Sequence, residues 1–411
     1  MKYELAISSW GAGNGSENST EGKSVEVAVA EKVLESGFTT MGKAVSEYEA
    51  KFAEHFGAKY GVMVNSGSSA NLLAVAAMFF RKNGPSLKRG DEVIVPAVSW
   101  ATTYYPLQQY GLHLKFVDID LNTLNYDLES LEKAITDNTK AIVCVNLLGN
   151  PNDFNRINKI IGKRGIVVLE DNCESLGASY TLDSGETKFT GTFGLMGTFS
   201  SFFSHHISTM EGCVILTSDE ELYHILLSIR SHGWTRHLPQ KNLITGTKSD
   251  DPFEEQFRFV LPGYNVRPLE IMGAIGLEQI KKADDFIDWR KKNAGYFQQK
   301  FKDNPFFYIQ KEIGKSSWFG FSLILKDSCK FSRKELLKYL AEKKIETRPI
   351  VAGNFTKNEV LKYFDCEISG EMKNANYLDS HGFFVGNHQF DIKNKIDYLY
   401  DSIMDFCKSH S

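Results

Sequence analysis

Short apolar runs alternate with amphipathic stretches along most of the chain. Tyr60-Gly-Val-Met-Val-Asn65, Glu92-Val-Ile-Val-Pro96, Leu114-Lys-Phe-Val-Asp118, Ala141-Ile-Val-Cys-Val-Asn146 and Gly165-Ile-Val-Val-Leu-Glu170 read as strands, and the stretches between them predict helices over 70–82, 102–110, 128–135 and 153–163. Repeated strand-helix-strand units imply an α/β fold: a mostly parallel sheet covered by helices, with ligand groups at the strand ends. Two helices precede this run. One is predicted at about 24–36; the other spans about 44–56, with Val45, Tyr48, Phe52 and Phe56 on one face and Gly57 as its stop. The loop Thr39–Lys43 reads as their connection, and the Gly/Asn/Ser-rich stretch at 11–22 as an exposed loop.

Beyond residue 213 the pattern predicts a strand over 214–217 and a helix over 219–230. Residues 234–262 are polar and turn-rich, a long excursion that is either a functional loop or a disordered insertion. Gly263-Tyr264-Asn265 then opens a helical region over 268–285. From about 290 come a helix to 302, a strand region at 318–325, a helix at 332–343 and Ile345-Glu-Thr-Arg-Pro-Ile350. This change predicts a large domain over 1–290 and a smaller C-terminal α+β domain over 291–411.

The 411 residues suffice for two domains, and a formal charge of −4 argues against a broad nucleic-acid surface. No run approaches the roughly twenty apolar residues of a membrane helix, and the first residues lack an apolar secretory core, so the expected location is cytoplasmic. Cys144, Cys173, Cys213, Cys329, Cys366 and Cys407 are scattered without a CxxC pair. That spacing predicts reduced thiols rather than a zinc or iron–sulfur site.

Four places carry candidate chemistry. In Ser66-Gly67-Ser68-Ser69, a strand feeds a helix through small residues; the unpaired N–H groups at the helix start suit a phosphate, and an ordinary serine cap accounts for the same letters. Trp100, just after the strand ending at Pro96, is either a packed aromatic or a stacking face for a flat cofactor. Asp171, at the end of an apolar strand, is either a helix cap or the partner of a protonated ring nitrogen. The fourth is the adjacent pair His205 and His206, set between a Ser/Phe stretch and Glu211-Gly212. Taken alone, such a pair is more often structural than catalytic.

Six ordered stretches together resemble the sugar-nucleotide aminotransferase family of fold type I pyridoxal-phosphate enzymes: TMGKAVSEYEAKFAEHFGAKYGVMVNSGSSANLLAVAAM, EVIVPAVSW, LKFVDID, VVLEDNCESLGA, GTFSSFFSHHISTMEGC and LPGYNVRPLEIMGAIGLEQI. The resemblance implies an aspartate-aminotransferase-like large domain and a role for each ligand-facing position. Gly67, Ser68 and Ser200 match positions that hold the cofactor phosphate, and Ser69 shares that loop. Asp171 matches the acid that pairs with the pyridine nitrogen, Trp100 the aromatic stacked on the ring, and Glu174 a residue near the ring hydroxyl. Asn265 matches a residue that reaches the phosphate from a neighbouring subunit, which implies a homodimer with shared active sites.

One departure redirects the expected activity. The family's Schiff-base lysine stands six residues before the Glu of the Glu-Gly turn, and here that position is His205. Imidazole cannot form that imine. The His-His-Ile version resembles the sugar 3-dehydratase subgroup, whose members make the dideoxy sugars of lipopolysaccharide O-antigens. One branch carries an iron–sulfur cluster on cysteines in the loop before Gly-Tyr-Asn; here that loop, 234–262, has no cysteine. The resemblance therefore implies cluster-free chemistry. Non-covalent pyridoxamine or pyridoxal 5'-phosphate would act on a nucleotide-linked, preferably GDP-linked, 4-keto-6-deoxy sugar, with L-glutamate restoring the cofactor. His205 is the expected acid/base: histidine, with an ordinary pKa of about 6.5, can accept a proton without competing as an imine former. Arg348 and Asn354 are candidate substrate contacts. Two rivals remain: an aminotransferase using another lysine, such as Lys188 or Lys241, and a catalytically silent cofactor- or nucleotide-binding protein.

Overall fold

A computed structural model describes residues 24–410; the expectations for the glycine-rich stretch at 11–22 and for the chain start lie outside the described residues. The centre is an eight-stranded sheet formed by β1 (Tyr60–Val64), β2 (Glu92–Pro96), β3 (His113–Val117), β4 (Thr139–Val145), β5 (Val167–Asp171), β8 (Met196–Ser200), β9 (Cys213–Thr217) and β14 (Cys366–Ile368). Two-stranded ribbons, β6 (Ser179–Thr181) with β7 (Thr187–Phe189) and β10 (Lys241–Asn242) with β11 (Gly246–Thr247), stand outside it. The spatial order is β1-β9-β8-β5-β4-β2-β3-β14. Only β9 runs antiparallel to its neighbours, β1 and β8; every other pair is parallel. A mostly parallel sheet needs cover on both faces, which is why its strands β2 and β8, and the antiparallel β9 among them, are buried along their whole length.

Helices supply that cover. They are α1 (Val25–Glu35), α2 (Lys43–Phe56), α3 (Gly67–Phe80), α4 (Ala101–Gln109), α5 (Leu128–Ala134), α6 (Phe154–Ile161) and α7 (Glu220–Ile229), then α8 (Pro252–Glu255), α9 (Glu270–Gln279) and α10 (Ala283–Phe301). In α6, Phe154, Ile157, Ile160 and Ile161 form the buried face at helical spacing. The central α3 is apolar almost all round, because it lies buried among β8, β9, α4 and α7. It starts three residues earlier than the predicted 70, since the Ser66 hydroxyl accepts the Ser69 N–H and Ser66 becomes the cap.

Residues 234–262 are folded rather than a plain excursion. The β10–β11 ribbon and the single turn α8 are tied together by Glu255, whose carboxylate accepts from the Thr235 hydroxyl (2.6 Å) and the Ser249 N–H (2.8 Å) and pairs with Arg258 (2.7 Å).

The last third of the chain adds β12 (Phe307–Ile309), β13 (Gly320–Leu325) and β15 (Gly382–Gly386) in a three-stranded antiparallel sheet, with α11 (Arg333–Glu342), α12 (Lys373–His381) and α13 (Lys393–Ser409). Its own core gathers Phe297, Phe301, Phe321, Leu336, Phe383 and Ile403. Residue 290 lies within α10, and β14, from beyond it, pairs with β3 of the central sheet. A shared apolar cluster joins the two units: Ala97, Val98, Leu147 and Leu148 pack with Ile324, Ile350 and Phe384. No helix of the described residues is long and apolar enough to cross a membrane.

Candidate active site

The site is built where β2, β5 and β8 end and α3 begins. Asp171 is the last residue of β5 and only 8% exposed. Its Oδ2 accepts from Asn71 Nδ2 (2.9 Å) and from the Thr103 hydroxyl (2.7 Å). The Thr198 hydroxyl in turn donates to Asn71 Oδ1 (2.8 Å), which fixes the amide's orientation. Oδ1 receives only the long bond from the Cys173 N–H (3.3 Å). One oxygen is therefore saturated, while the other keeps a lone pair for a further donor.

Next to it lies a small-residue cradle. A Cβ placed on Gly67 would sit 3.5 Å from both the Ser200 Cβ and the Cys173 Sγ, so the start of α3 and the end of β8 meet at contact distance. The first-turn amides of α3 have no helical carbonyl behind them, and Ser66 occupies only that of Ser69. Ser69 is also held by its hydroxyl on Ser66 (3.1 Å). Trp100, at the N-cap position of α4 and 59% exposed, leaves an aromatic face open just beyond β2.

Glu174 accepts the Leu148 N–H (3.0 Å), in a turn where Leu148 has φ +52° and Gly149 φ +94°. Burial, reinforced by the Asp171 charge and opposed by the Leu148 N–H, pushes its carboxyl up to about 7.

Both histidines follow β8 in the turn leading to β9. The His205 ring lies 5.2 Å from the Phe319 ring, between centroids, and 6.2 Å from that of Phe202. Its Nδ1 is buried without a hydrogen-bond partner among the described residues. Burial, followed by the charge of Arg290, holds it down to about 4, so the ring is neutral near neutral pH. His206 is fully buried, with Nε2 3.2 Å from the Ser317 carbonyl oxygen, and is held well below the ordinary histidine value for the same first two reasons.

Residues 21–389 match the DegT/DnrJ/EryC1/StrS aminotransferase family. The chain belongs to this family. It is 60% identical over 400 residues to the GDP-4-keto-6-deoxy-D-mannose 3-dehydratase of Escherichia coli O55:H7, covering 97% of this chain and 98% of the relative. A solved structure of GDP-4-keto-6-deoxymannose-3-dehydratase, a histidine-to-asparagine variant with bound GDP-perosamine, matches with a TM-score of 0.92 at 59% identity, over 98% of this chain and 100% of that one. A second structure of that enzyme, with a trapped PLP–glutamate geminal diamine, gives the same score, identity and coverage.

The residues present fit the family's phosphorylated pyridine cofactor. The half-satisfied Asp171 suits a ring N–H, the first-turn amides of α3 and the hydroxyl donors of Ser68 and Ser200 suit a phosphate, and the exposed Trp100 suits a flat ring.

The other predicted positions are spread more widely. Asn265 is exposed in an isolated antiparallel bridge with Ser231, its Oδ1 accepting from Arg267 Nε (3.0 Å). Arg348 is exposed and bridges by its backbone to Phe384. Asn354 is 2% exposed; its Oδ1 accepts from the Thr356 N–H (3.0 Å) and hydroxyl (2.8 Å), and its Nδ2 donates to Asn376 (3.0 Å). Its side chain is thus committed to capping a turn. The rival lysines stand elsewhere: Lys188 lies in the β6–β7 ribbon over the Phe193 ring, and Lys241 is exposed in β10.

Sequence reasoning missed Asn71, Thr103 and Thr198, which hold Asp171. Helical spacing carries a signal for two of them, since Asn71 lies one turn beyond Gly67 and Thr103 one turn beyond Trp100. Phe319 and Arg290 belong to the C-terminal unit, and nothing in their local sequence links them to His205.

Proposed function

We propose that this chain is a pyridoxamine-phosphate-dependent 3-dehydratase acting on a GDP-linked 4-keto-6-deoxyhexose, GDP-4-keto-6-deoxy-D-mannose. One observation carries the reading. At the position of the family's lysine stands His205, a neutral imidazole whose Nδ1 has no partner among the described residues. The 60% identity to the E. coli O55:H7 enzyme supports the substrate. Net chemistry balances as follows: the sugar exchanges its C3 hydroxyl for hydrogen, giving a 4-keto-3,6-dideoxy sugar, while L-glutamate becomes 2-oxoglutarate and ammonia.

When bound, the cofactor supplies the amine that condenses with the C4 ketone and the ring that stores an electron pair. Asp171, anchored by Asn71 and Thr103, keeps the ring nitrogen protonated. Gly67, Ser68, Ser69 and Ser200 hold the phosphate, and Trp100 covers one ring face. Glu174, near the ring hydroxyl, is poised to share a proton near neutral pH. His205 takes a proton at an imidazole nitrogen and returns it to the departing C3 hydroxyl. Lacking a primary amine, it leaves elimination as the productive path. Arg348 reaches the substrate from the C-terminal unit.

The exposed Asn265 supports a homodimer in which this residue enters the neighbouring site. Six free thiols support a cytoplasmic location.

The test is to incubate the protein with pyridoxal phosphate, L-glutamate and GDP-4-keto-6-deoxy-D-mannose, with the CDP-linked hexose in parallel. Mass spectrometry should show loss of one oxygen, with ammonia and 2-oxoglutarate released. An amino sugar that keeps its C3 oxygen would identify an aminotransferase, and retained cofactor without turnover would identify a binding protein; either refutes the reading.

A further inference from the structure

Behind the histidine pair lies a buried charge with no counter-ion. Arg290, on α10, is 2% exposed and makes no ion pair with a carboxylate among the described residues. Its Nη1 donates to the backbone carbonyls of Phe319 (3.1 Å) and Asn387 (3.0 Å), and its Nε has no partner there. Asn387 completes the brace, donating through Nδ2 to the carbonyls of Arg290 (3.0 Å) and Trp318 (2.9 Å). The braced segment, Ser317–Phe319, is the one that meets both histidines: the Ser317 carbonyl faces His206 Nε2, and the Phe319 ring lies 5.2 Å from His205 and 5.8 Å from His206. Trp318, at its centre, has φ +49°, a left-handed conformation that a bulky residue keeps only when its surroundings impose it. Burying an unpaired guanidinium opposes folding, so a fold that retains one gains something from the charge itself.

We propose that Arg290 is a positioning residue for the dehydration: it braces Ser317–Phe319, seats the Phe319 ring against His205, and sets a buried cation behind the two histidines. The proposal rests on the reading of His205 as the base. It gives the missing counter-ion a reason, since a carboxylate beside Arg290 would cancel the field it exerts on the histidines. The charged and titratable groups around the pair agree with this. From α10, Arg290 acts on both histidines and Lys291 on His206, while Lys291 is itself held down by burial among Asp288, Lys315, Glu312 and Asp284. Phe202 and Phe319 contribute no charge, and the two histidines disfavour each other's protonation. On the cofactor side, the Asp171 charge acts on Glu174.

The experiment compares wild type, Arg290→Gln, Arg290→Lys and His205→Asn. The acid limb of kcat/KM should move up by about one pH unit in Arg290→Gln, where a charge near the base is removed, and stay in place in Arg290→Lys. A second readout needs no activity: histidine NMR of the cofactor-free full chain, with the His205 signal assigned by its loss in His205→Asn. Wild-type His205 should stay neutral well below pH 6, and an ordinary histidine titration there overturns the proposal even if Arg290→Gln does not fold. An Arg290→Lys limb displaced upward, or an Arg290→Gln limb unmoved, also overturns it. Retained dehydration in His205→Asn would instead remove the underlying assignment of the base, so the two failures are distinct.

Discussion

Asp171 and His205 are surrounded in opposite ways. Around Asp171 the polar atoms are nearly all paired: Asn71, Thr103 and Thr198 form a chain of hydrogen bonds of 2.7–2.9 Å that ends on one carboxylate oxygen. Around His205 the neighbours are aromatic, the Nδ1 is unpaired among the described residues, and the nearby charge is a cation. A hydrogen-bonded network of this kind holds a carboxylate in one place. An under-satisfied imidazole beside a cation has no charge to hold, and so can take a proton and give it back. The same short stretch of chain connects both, since Thr198 and Ser200 end β8 and the histidines follow within a few residues.

The contrast can be broken from either end. His205→Asn should cut dehydration by about 10²–10⁴-fold while cofactor binding survives, measured by product mass spectrometry and by cofactor absorbance after gel filtration. Asp171→Asn should act on the cofactor instead. With the charge opposite the ring nitrogen gone, cofactor affinity should fall by roughly 10-fold to 1,000-fold, read by equilibrium titration. Thr103→Val removes one bond to the Asp171 carboxylate and leaves the charge, so a smaller loss is expected, about tenfold in affinity.

The smallest effect concerns pH and the cofactor-free protein. His205, held down to about 4, stays neutral in the fold while the unfolded chain gains a proton below about 6.5. Its contribution to stability is therefore present above that value and lost as pH falls through the window. Glu174, pushed up to about 7 from an ordinary 4.5, has the opposite sign: the fold keeps a proton that the unfolded chain has released, so its contribution is present below 4.5 and lost as pH rises towards 7. Glu174→Gln should thus make stability rise more steeply between pH 5 and 7 than in wild type, as followed by urea midpoints. An unchanged slope would show that Glu174 titrates normally.

Much of this arrangement was legible in the sequence. Continuous apolar strands such as Glu92–Pro96, and small-residue turns such as Ser66–Ser69, carry local signals that survive folding, and the strand-end positions of Trp100 and Asp171 follow from them. Pattern reading failed where the decisive contact is remote. The β8 stretch Met-Gly-Thr-Phe-Ser is too small and polar to announce a buried strand; it becomes one because β5 and β9 flank it. Asn354 reads as a polar loop residue, yet Thr356 engages its amide oxygen and Asn376 one of its N–H groups. Arg290 sits in Trp-Arg-Lys-Lys, which looks like an exposed helix face. Only the fold shows that α10 turns this one cation inward, onto the carbonyls of Phe319 and Asn387.

The short strand Cys366–Ile368 has a consequence of another kind. Without it, the central sheet would end at β3 and present the backbone of His113–Val117 to any chain able to add a strand. Cys366, Glu367 and Ile368 cover Leu114, Lys115 and Phe116, and the flanking Asp365 and Ser369 close the two ends by bonding the Leu114 N–H and the Phe116 carbonyl. Glu367 also reaches Lys115 at 2.8 Å, fastening the cover in register. The replacement edge is three residues long and carries a charge, a poor template for further growth. Through this one segment, the later part of the chain guards a strand laid down some 250 residues earlier against intermolecular pairing.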